Sequence, residues 1–172
     1  MRDAPRRVAE LLTEEHARLH ALLARAVLPS GEVDREAYVA LRAGLLRHIG
    51  IEEKILFPAV REARGGVALG RAAELRVDHG ALTSLLVPTP DAALLAELEG
   101  LLHAHDAKEE GPEGVYVECE RSLGEQGSWA IAERARAYPE VPVAAHYDGP
   151  RAYRTAAAAL AAQISQRARR GG

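Results

Sequence analysis

The feature that most constrains the fold is the stretch from His48 to Pro58, which places ionisable side chains inside an apolar helical stripe. His48 and Glu52 are four residues apart, so on a helix they lie one turn apart on the same face. Leu45 and Ile55 continue that face on either side. Burying a carboxylate without a partner costs several kcal/mol or more. A metal ion is the usual compensation beside a histidine, so the stretch predicts a helix that carries metal ligands into a protein core.

Composition narrows the class of protein. A chain of 172 residues suits one domain with a sizeable core. Apolar residues make up 48% but aromatic residues only 4%, which favours closely packed helices. The net charge of -3 argues against general nucleic-acid binding. Because Cys119 is the one cysteine, an internal disulfide and a cysteine-based metal site within one chain are excluded.

The sequence also shows no targeting segment. Residues Met1 to Pro5 lead directly into a charged amphipathic pattern, without the apolar core of a secretory signal. The longest apolar run, Ala156 to Ala162, is far too short to cross a bilayer. We therefore expect a cytoplasmic protein with neither a membrane nor a nucleic acid as its partner.

Apolar residues spaced by three and four predict four helices before residue 111. Asp34 is a good N-cap for the second helix, which either continues or kinks at Pro58. The connections are short, so successive helices should be antiparallel neighbours in an all-α, up-down-up-down four-helix bundle. The predicted bounds are Pro5 to Leu28, Asp34 to Phe57, Val67 to Val87 and Ala92 to Glu110.

The pattern weakens after the Gly-Pro-Glu-Gly segment at 111–114. Residues 115–123 either continue the fourth helix or form a fifth, and further helices are expected over 128–138 and 153–168. Four of the seven aromatic residues lie after residue 125. We predict a bundle domain over 1–124 and a helical C-terminal extension over 125–172, which packs on the bundle or on a partner subunit. The second arrangement would make the protein a homodimer.

The buried faces of the four helices repeat a pattern of ionisable residues. Each half of the bundle offers one histidine and then, on the next helix, a histidine and a carboxylate one turn apart. The first half supplies Glu15-His16 and His48-x-x-x-Glu52-Glu53, and the second supplies Asp78-His79 and His105-x-x-x-Glu109-Glu110. An antiparallel bundle would bring four imidazoles and two carboxylates to one level of its interior.

Such a donor set suits a pair of metal ions. Two six-coordinate metals need about twelve ligand positions, of which four histidines fill about four and two bridging glutamates about four more. A bridging oxide or hydroxide would supply about two, which leaves about two for water or a small ligand. Nitrogen and oxygen donors without sulfur suit iron or manganese in a helical bundle.

At these motifs the sequence resembles the hemerythrin-like (HHE cation-binding) domains, over about residues 10 to 120. The phrase His-x-x-x-Glu-Glu-x-x-Leu-Phe-Pro at 48–58 is the most specific part of the resemblance. The resemblance implies a four-helix bundle with a non-haem, oxo- or hydroxo-bridged pair of iron ions, which zinc or manganese could replace. Such a centre binds oxygen reversibly or senses oxygen, nitric oxide or iron. The implied metal ligands are His16, His48, Glu52, His79, His105 and Glu109, with both glutamates bridging.

Two positions depart from the family pattern. Oxygen-carrying hemerythrins have a second histidine one turn before the residue that matches His79, and this chain has Leu75 there. One metal would therefore have one protein ligand fewer, which argues against a pure oxygen carrier. The insertion from Gly111 to Gly114 follows where the family continues its helix, and could change the geometry of Glu109.

The remaining histidines, acidic residues and the cysteine are not expected to be metal ligands. We expect His20, Glu53 and Glu110 to support the ligands or to lie at the surface, and His103 to face solvent. His146 reaches the metals only if the extension folds over the end of the bundle. Cys119 is interpreted as a helix residue without redox function.

Three functions stay open, and a module that binds or senses a diatomic ligand or iron is favoured. A di-iron enzyme that reduces oxygen, peroxide or nitric oxide is the second, although the sequence identifies no organic substrate pocket or electron-donor domain. The third is an iron-donating iron–sulfur repair protein. Those proteins usually carry an N-terminal cysteine-bearing domain, which this sequence does not show.

Overall fold

The computed structural model describes residues 7–170, which form helices and no strand apart from an isolated bridge between Val27 and Val33. The all-α fold class is confirmed. Among these residues, no helix combines the length and the apolar character that crossing a bilayer requires. The predicted helix start at Pro5 lies outside the described residues. The α-helices are α1 (Val8–Ala26), α2 (Arg35–Ile51), α3 (Phe57–Ala63), α4 (Ala72–Leu85), α5 (Ala92–Glu109), α6 (Val115–Arg136) and α7 (Ala156–Arg170).

Four helical units form the bundle: α1, the continuous α2–α3 unit, α4 and α5. The apolar core of the bundle has two parts. One apolar cluster includes Leu19, Leu45 and Leu98, and the other includes Leu12 and Ile51. Along α1, α2 and α4 the predicted metal ligands occupy positions between the residues of these two clusters. The ionisable residues therefore form a polar layer inside an otherwise apolar bundle.

A π-helical turn, Glu52–Leu56, joins α2 to α3 without a break. The backbone N–H of Phe57 donates to the carbonyl of Glu52, five residues earlier. In an α-helix the ring of Pro58 would clash with the carbonyl four residues before it, and the wider π turn accommodates it. The helix thus continues past Pro58, and the π turn lies where such turns often occur, at the candidate site.

Helix α4 begins at Ala72, five residues later than the pattern predicted. Gly65 and Gly66 both have positive φ (66° and 94°), so they turn the chain sharply after α3. Val67, which we expected to start the helix, is 60% exposed. An apolar residue that finds no buried partner does not draw the chain into a helix.

Helix α6 first fills the end of the bundle beside α1 and α3 and then returns along the bundle. Gly124 (φ 65°, ψ 176°) interrupts it, so that 115–123 and 125–136 are two helical segments. The second segment packs on α1, where Ser128 Oγ accepts a hydrogen bond of 3.0 Å from the backbone of Val8. Arg47 on α2 then donates to the carbonyl oxygens of Ala135 and Tyr138 at the end of this segment.

Residues 137–155 continue in extended form to the other end of the bundle, and α7 returns antiparallel to α4. Gln163 donates to Ser84 Oγ at 3.4 Å and Arg167 donates to the carbonyl of Ala73 at 2.6 Å. Ala159 is fully buried in this contact. The extension thus packs on the bundle of its own chain, whereas the domain division at residue 124 and the homodimer stay predictions.

Candidate metal centre

The structure brings all six predicted ligand residues together in the interior, each no more than 3% exposed. They form two groups of four, and both groups contain Glu52 and Glu109. Within each group the donor atoms lie within 4.8 Å of one another. His16 and His48 complete the first group, and His79 and His105 complete the second.

The donor atoms are spaced like ligands of a common ion. Two atoms bound at right angles to one first-row metal, at about 2.1 Å each, lie about 3 Å apart. The Nε2 atoms of His16 and His48 are 2.9 Å apart, and Nε2 of His105 lies 3.3 Å from Glu109 Oε2. Glu52 directs Oε1 toward His48 (3.6 Å) and Oε2 toward His79 (3.1 Å). One oxygen toward each group is the arrangement that a bridging carboxylate requires.

A ring of four carboxylates holds the other nitrogen, Nδ1, of each histidine. Three of the carboxylates each lie one helical segment earlier in the chain than the histidine that they contact. The fourth lies at the end of α5 and contacts the histidine of α1, which closes the ring. With metal bound, a carboxylate at Nδ1 would fix the neutral tautomer that keeps its proton there, so that the lone pair of Nε2 would face the metal. The pairs are Glu15–His48 (3.2 Å), Glu53–His79 (2.7 Å), Asp78–His105 (3.5 Å) and Glu110–His16 (2.5 Å).

Basic side chains in turn hold three carboxylates of this ring. The partner of Asp78 is Lys108, one of two lysines in the chain, which also contacts Glu74 at 3.0 Å. These ion pairs connect neighbouring helices and fix the outer layer of the site. Their distances are 3.0 Å for Arg47–Glu15, 2.9 Å for Arg76–Glu53 and 2.7 Å for Lys108–Asp78.

Several buried polar atoms at the centre lack a hydrogen-bond partner within the part of the chain that the structure describes. They are Oε2 of Glu52, Nε2 of His79, Nε2 of His105 and Oε1 of Glu109, together with Oδ1 of Asp106. Buried polar atoms of this kind are rare in folded proteins and call for an explanation. Imidazole nitrogens and carboxylate oxygens are suitable donors for iron or manganese. The residues therefore fit a pair of such ions.

Without metal, charge pairing determines the protonation of the histidines. Burial lowers the pKa of His79, but the carboxylates of Glu109, Glu52 and Glu53 outweigh burial and raise that pKa to about 11. Burial is likewise outweighed at His16, chiefly by Glu109, and its pKa rises to about 9. The pKa of His105 also rises to about 9, because Asp78 and Glu109 outweigh its burial. Protons therefore occupy positions at neutral pH that a metal would otherwise take.

The carboxylate of Glu109 remains ionised in this layer. Burial raises its pKa, but the nearby imidazoles of His105, His16 and His79 outweigh burial and hold the pKa well below its usual range. An ionised oxygen donor is the form that binds a cation. The metal-free centre thus already has the anion that a pair of metal ions needs between them.

Tyr116 also lies at the centre, although no sequence motif indicated it. Its side chain is 3% exposed, and its hydroxyl donates to Glu52 Oε1 at 2.6 Å. The hydroxyl oxygen of Tyr116 also lies 3.1 Å from Glu109 Oε2 and 3.4 Å from His16 Nε2. Burial, then the charges of Glu109 and Glu52, raise the pKa of Tyr116 well above its usual value.

The insertion after Glu110 explains how Tyr116 reaches the centre. It ends α5 at Glu109, and α6 then resumes in the same direction, with its first turn beside the polar layer and Glu118 and Glu120 near Arg64 and Ala9 at the far end of the bundle. Gly111 has a φ of 83°, which favours glycine, and a Cβ on Gly114 would lie 2.2 Å from the carbonyl oxygen of Glu110. The one sequence signal for Tyr116 is its place just after this glycine-rich turn.

The remaining histidines lie outside both groups of donors. His20 Nε2 donates to Asp106 Oδ2 at 2.6 Å, so it contacts a neighbour of the centre. His103 is exposed and its ring lies 4.2 Å from that of His20. His146 is exposed beside Tyr38, on the extended segment and away from the centre.

A four-helix bundle with histidines and carboxylates on its inward faces is a common architecture of helical metal-binding proteins. Residues 7–113 match the family model of the hemerythrin HHE cation binding domain. This match covers more than half of the chain, so the protein belongs to the hemerythrin HHE cation-binding family. No curated protein and no solved structure matches the chain. The resemblance found in the sequence motifs is confirmed at the level of the family.

Proposed function

We propose that this protein holds two iron ions in the polar layer and there binds or senses a diatomic gas, oxygen or nitric oxide. The observation that carries this proposal is the pair of four-donor groups that share both Glu52 and Glu109. A single ion would not need four imidazoles divided between two groups. The proposed ligands are His16, His48, Glu52, His79, His105 and Glu109.

Two iron ions, when bound, would supply the coordination positions at which a small gas molecule binds. The residues of the chain do the rest. The carboxylate ring keeps the four imidazoles oriented, and the apolar clusters above and below the polar layer exclude bulk water. Exclusion of water favours a small, weakly polar ligand over larger polar ones.

The test begins with metal analysis of the protein as isolated, where we expect about two metal ions per chain. Zinc taken up during expression would be replaced by loading the protein with ferrous iron without oxygen. The reduced protein is then exposed to oxygen and to nitric oxide while its visible spectrum is recorded. A spectral change that reverses when the gas is removed supports the proposal.

Two other outcomes would contradict it. Irreversible oxidation of the iron together with consumption of hydrogen peroxide would favour a di-iron enzyme. A protein that holds no transition metal after anaerobic loading would remove the basis of the proposal.

A further inference from the structure

We infer that Tyr116 is a ligand of the metal held by His16 and His48, and that an external ligand therefore binds the metal held by His79 and His105. This inference rests on the proposed function, because it requires two metal ions in the centre. It concerns how many protein ligands each of the two metals has, and therefore which metal binds the external ligand.

The position of the Tyr116 oxygen supports the first half of the inference. This atom lies 2.6 Å from Glu52 Oε1, 3.1 Å from Glu109 Oε2 and 3.4 Å from His16 Nε2. These are separations expected between neighbouring ligands of one ion, about 3 Å. Tyr116 thus adds a fifth donor to the first group, whereas the second group has four.

The surroundings of His79 support the second half. Leu75 lies one turn before His79 on α4, so it occupies the same face, and it is completely buried. Its hydrocarbon side chain offers no donor. Protein ligands therefore leave more positions open on the metal of the second group than on that of the first.

An apolar approach leads toward this second group. The ring of Phe57 stacks on that of His79, with centroids 6.1 Å apart. Phe57 also lines a surface cavity of about 330 Å³, together with Leu69 and Ala72. A small gas molecule could pass from this cavity by displacing the Phe57 ring, whereas a larger polar molecule would find no such route.

Binding of Tyr116 to the metal exchanges one bond for another. The phenol O–H bond breaks, the proton passes to solvent, and the oxygen forms a bond to the metal without change in the oxidation state of either. A phenolate bound to ferric iron absorbs visible light by charge transfer from the ring. Imidazole and carboxylate ligands do not produce this band or the phenolate ring vibrations in a resonance Raman spectrum.

The first experiment records both spectra of the wild-type protein with two ferric ions bound. We expect a phenolate band that disappears in Tyr116→Phe while about two iron ions remain bound. Tyr38→Phe is the matched control, because Tyr38 is 2% exposed, its hydroxyl has no partner among the described residues, and it lies in the other apolar cluster. That variant should retain the band.

The outcomes separate this inference from the proposed function. A wild-type protein that carries two ferric ions but shows no phenolate band would overturn the role of Tyr116 and leave the proposed function intact. A wild-type protein that binds no iron would overturn both. The wild-type spectrum decides the question even if Tyr116→Phe fails to fold.

The second experiment locates the external ligand with azide as the probe. We expect azide to bind the wild-type diferric protein without loss of the phenolate band, since it binds the other metal. Leu75→His would place an imidazole one turn before His79 and should weaken azide binding at least tenfold. Leu75→Met conserves volume and should leave azide binding nearly unchanged. Loss of the phenolate band on azide binding, or unaltered azide affinity in an iron-loaded Leu75→His protein, would overturn the second half of the inference.

Discussion

At the scale of single residues, each histidine of the centre has different surroundings at its two ring nitrogens. Nδ1 is held by a carboxylate of a neighbouring helical segment, and Nε2 faces the shared glutamates. No other uncharged side chain offers a donor and an acceptor on opposite sides of a rigid ring. Replacing a histidine therefore removes a ligand and also leaves a buried carboxylate without its partner.

The first prediction compares a buried histidine with an exposed one. His79→Ala should lower the metal content from about two ions per chain to one or none, because the second group would keep three donors. His103→Ala, which removes an exposed ring outside both groups, should leave the content unchanged. Elemental analysis after anaerobic loading measures both. If the two variants bind metal equally, the assignment of the second group is wrong.

The second prediction concerns the carboxylate ring. Asp78→Asn keeps the shape of the side chain that contacts His105 but removes its charge, so metal affinity should fall about 10- to 100-fold. Glu74→Gln is the control, since Glu74 contacts Lys108 but no histidine of the centre. Competition with a chelator of known affinity gives both values. Equal affinities would show that the ring does not orient the ligands.

The sequence made the six donors predictable because each interrupts an apolar stripe of fixed period. The carboxylate–histidine pairs of the outer ring could not be predicted in this way. Glu15 adjoins His16 in sequence but contacts His48, because neighbouring residues on a helix point about 100° apart. Tyr116 was missed because the break at 111–114 interrupts the helical period just before it.

At the scale of the elements, the glycine turn between α5 and α6 is the part of the fold on which Tyr116 depends. A methyl group on Gly114 would meet the carbonyl oxygens of Glu109 and Glu110 at 2.3 and 2.2 Å. Neither carbonyl can move without shifting the end of α5, which carries Glu109. Local backbone geometry therefore determines the shape of the polar layer.

The third prediction tests this turn. Gly114→Ala should lower the free energy of unfolding by about 1–3 kcal/mol through overpacking. Gly100→Ala, at an exposed position of α5 with open space around it, should raise the free energy by about 0.5–1 kcal/mol. Denaturant unfolding of both variants measures the difference. An unchanged free energy of unfolding in Gly114→Ala would show that the turn adapts to the added methyl group.

The helices themselves were largely predictable, and the π turn was not. Periodicity and the Asp34 cap placed α2 correctly, with Asp34 accepting from the backbone of Glu36 and Ala37. The start of α4 was wrong by five residues, since Val67 stays exposed. A π turn differs from an α turn by one residue, and only the proline at 58 hinted at a change of geometry.

At the scale of the whole molecule, the extension shares its apolar contacts with the bundle. Ile131, Ala132 and Ala135 belong to the same buried cluster as Leu12 on α1. None of the six proposed ligands, and not Tyr116, lies beyond residue 124. The extension should therefore contribute to stability without supplying metal ligands.

The fourth prediction is that truncation after Gly124 leaves the metal content intact but lowers thermal stability. Burying one isoleucine contributes about 1.5–3 kcal/mol, so loss of Ile131 alone should lower the melting temperature by at least about 3 °C. The uncovered apolar surface should also promote association. Elemental analysis, thermal unfolding and light scattering measure the three effects. Loss of metal upon truncation would mean that the extension belongs to the centre.

The fifth prediction links protonation, metal binding and stability. The folded metal-free protein holds His16 and His105 with a pKa of about 9 and His79 with a pKa of about 11, against about 6.5 in the unfolded chain. Groups with raised pKa stabilise the folded state below pH 6.5, and this stabilisation is lost as the pH rises through 9 to 11. The metal-free protein should therefore melt at a lower temperature at pH 9.5 than at pH 6.5.

Metal binding should oppose this trend, because it requires these histidines to be neutral and so releases protons. At pH 7 the three histidines are protonated in the metal-free protein, so anaerobic loading with ferrous iron should release about three protons per chain from them. An indicator dye in weakly buffered solution measures the release. His79→Ala, which loses a protonated ligand and binds less metal, should release fewer protons per chain, whereas His103→Ala should match the wild type. Metal uptake without proton release would show that the imidazoles are neutral before metal arrives, and that hydrogen bonding alone holds the metal-free layer together.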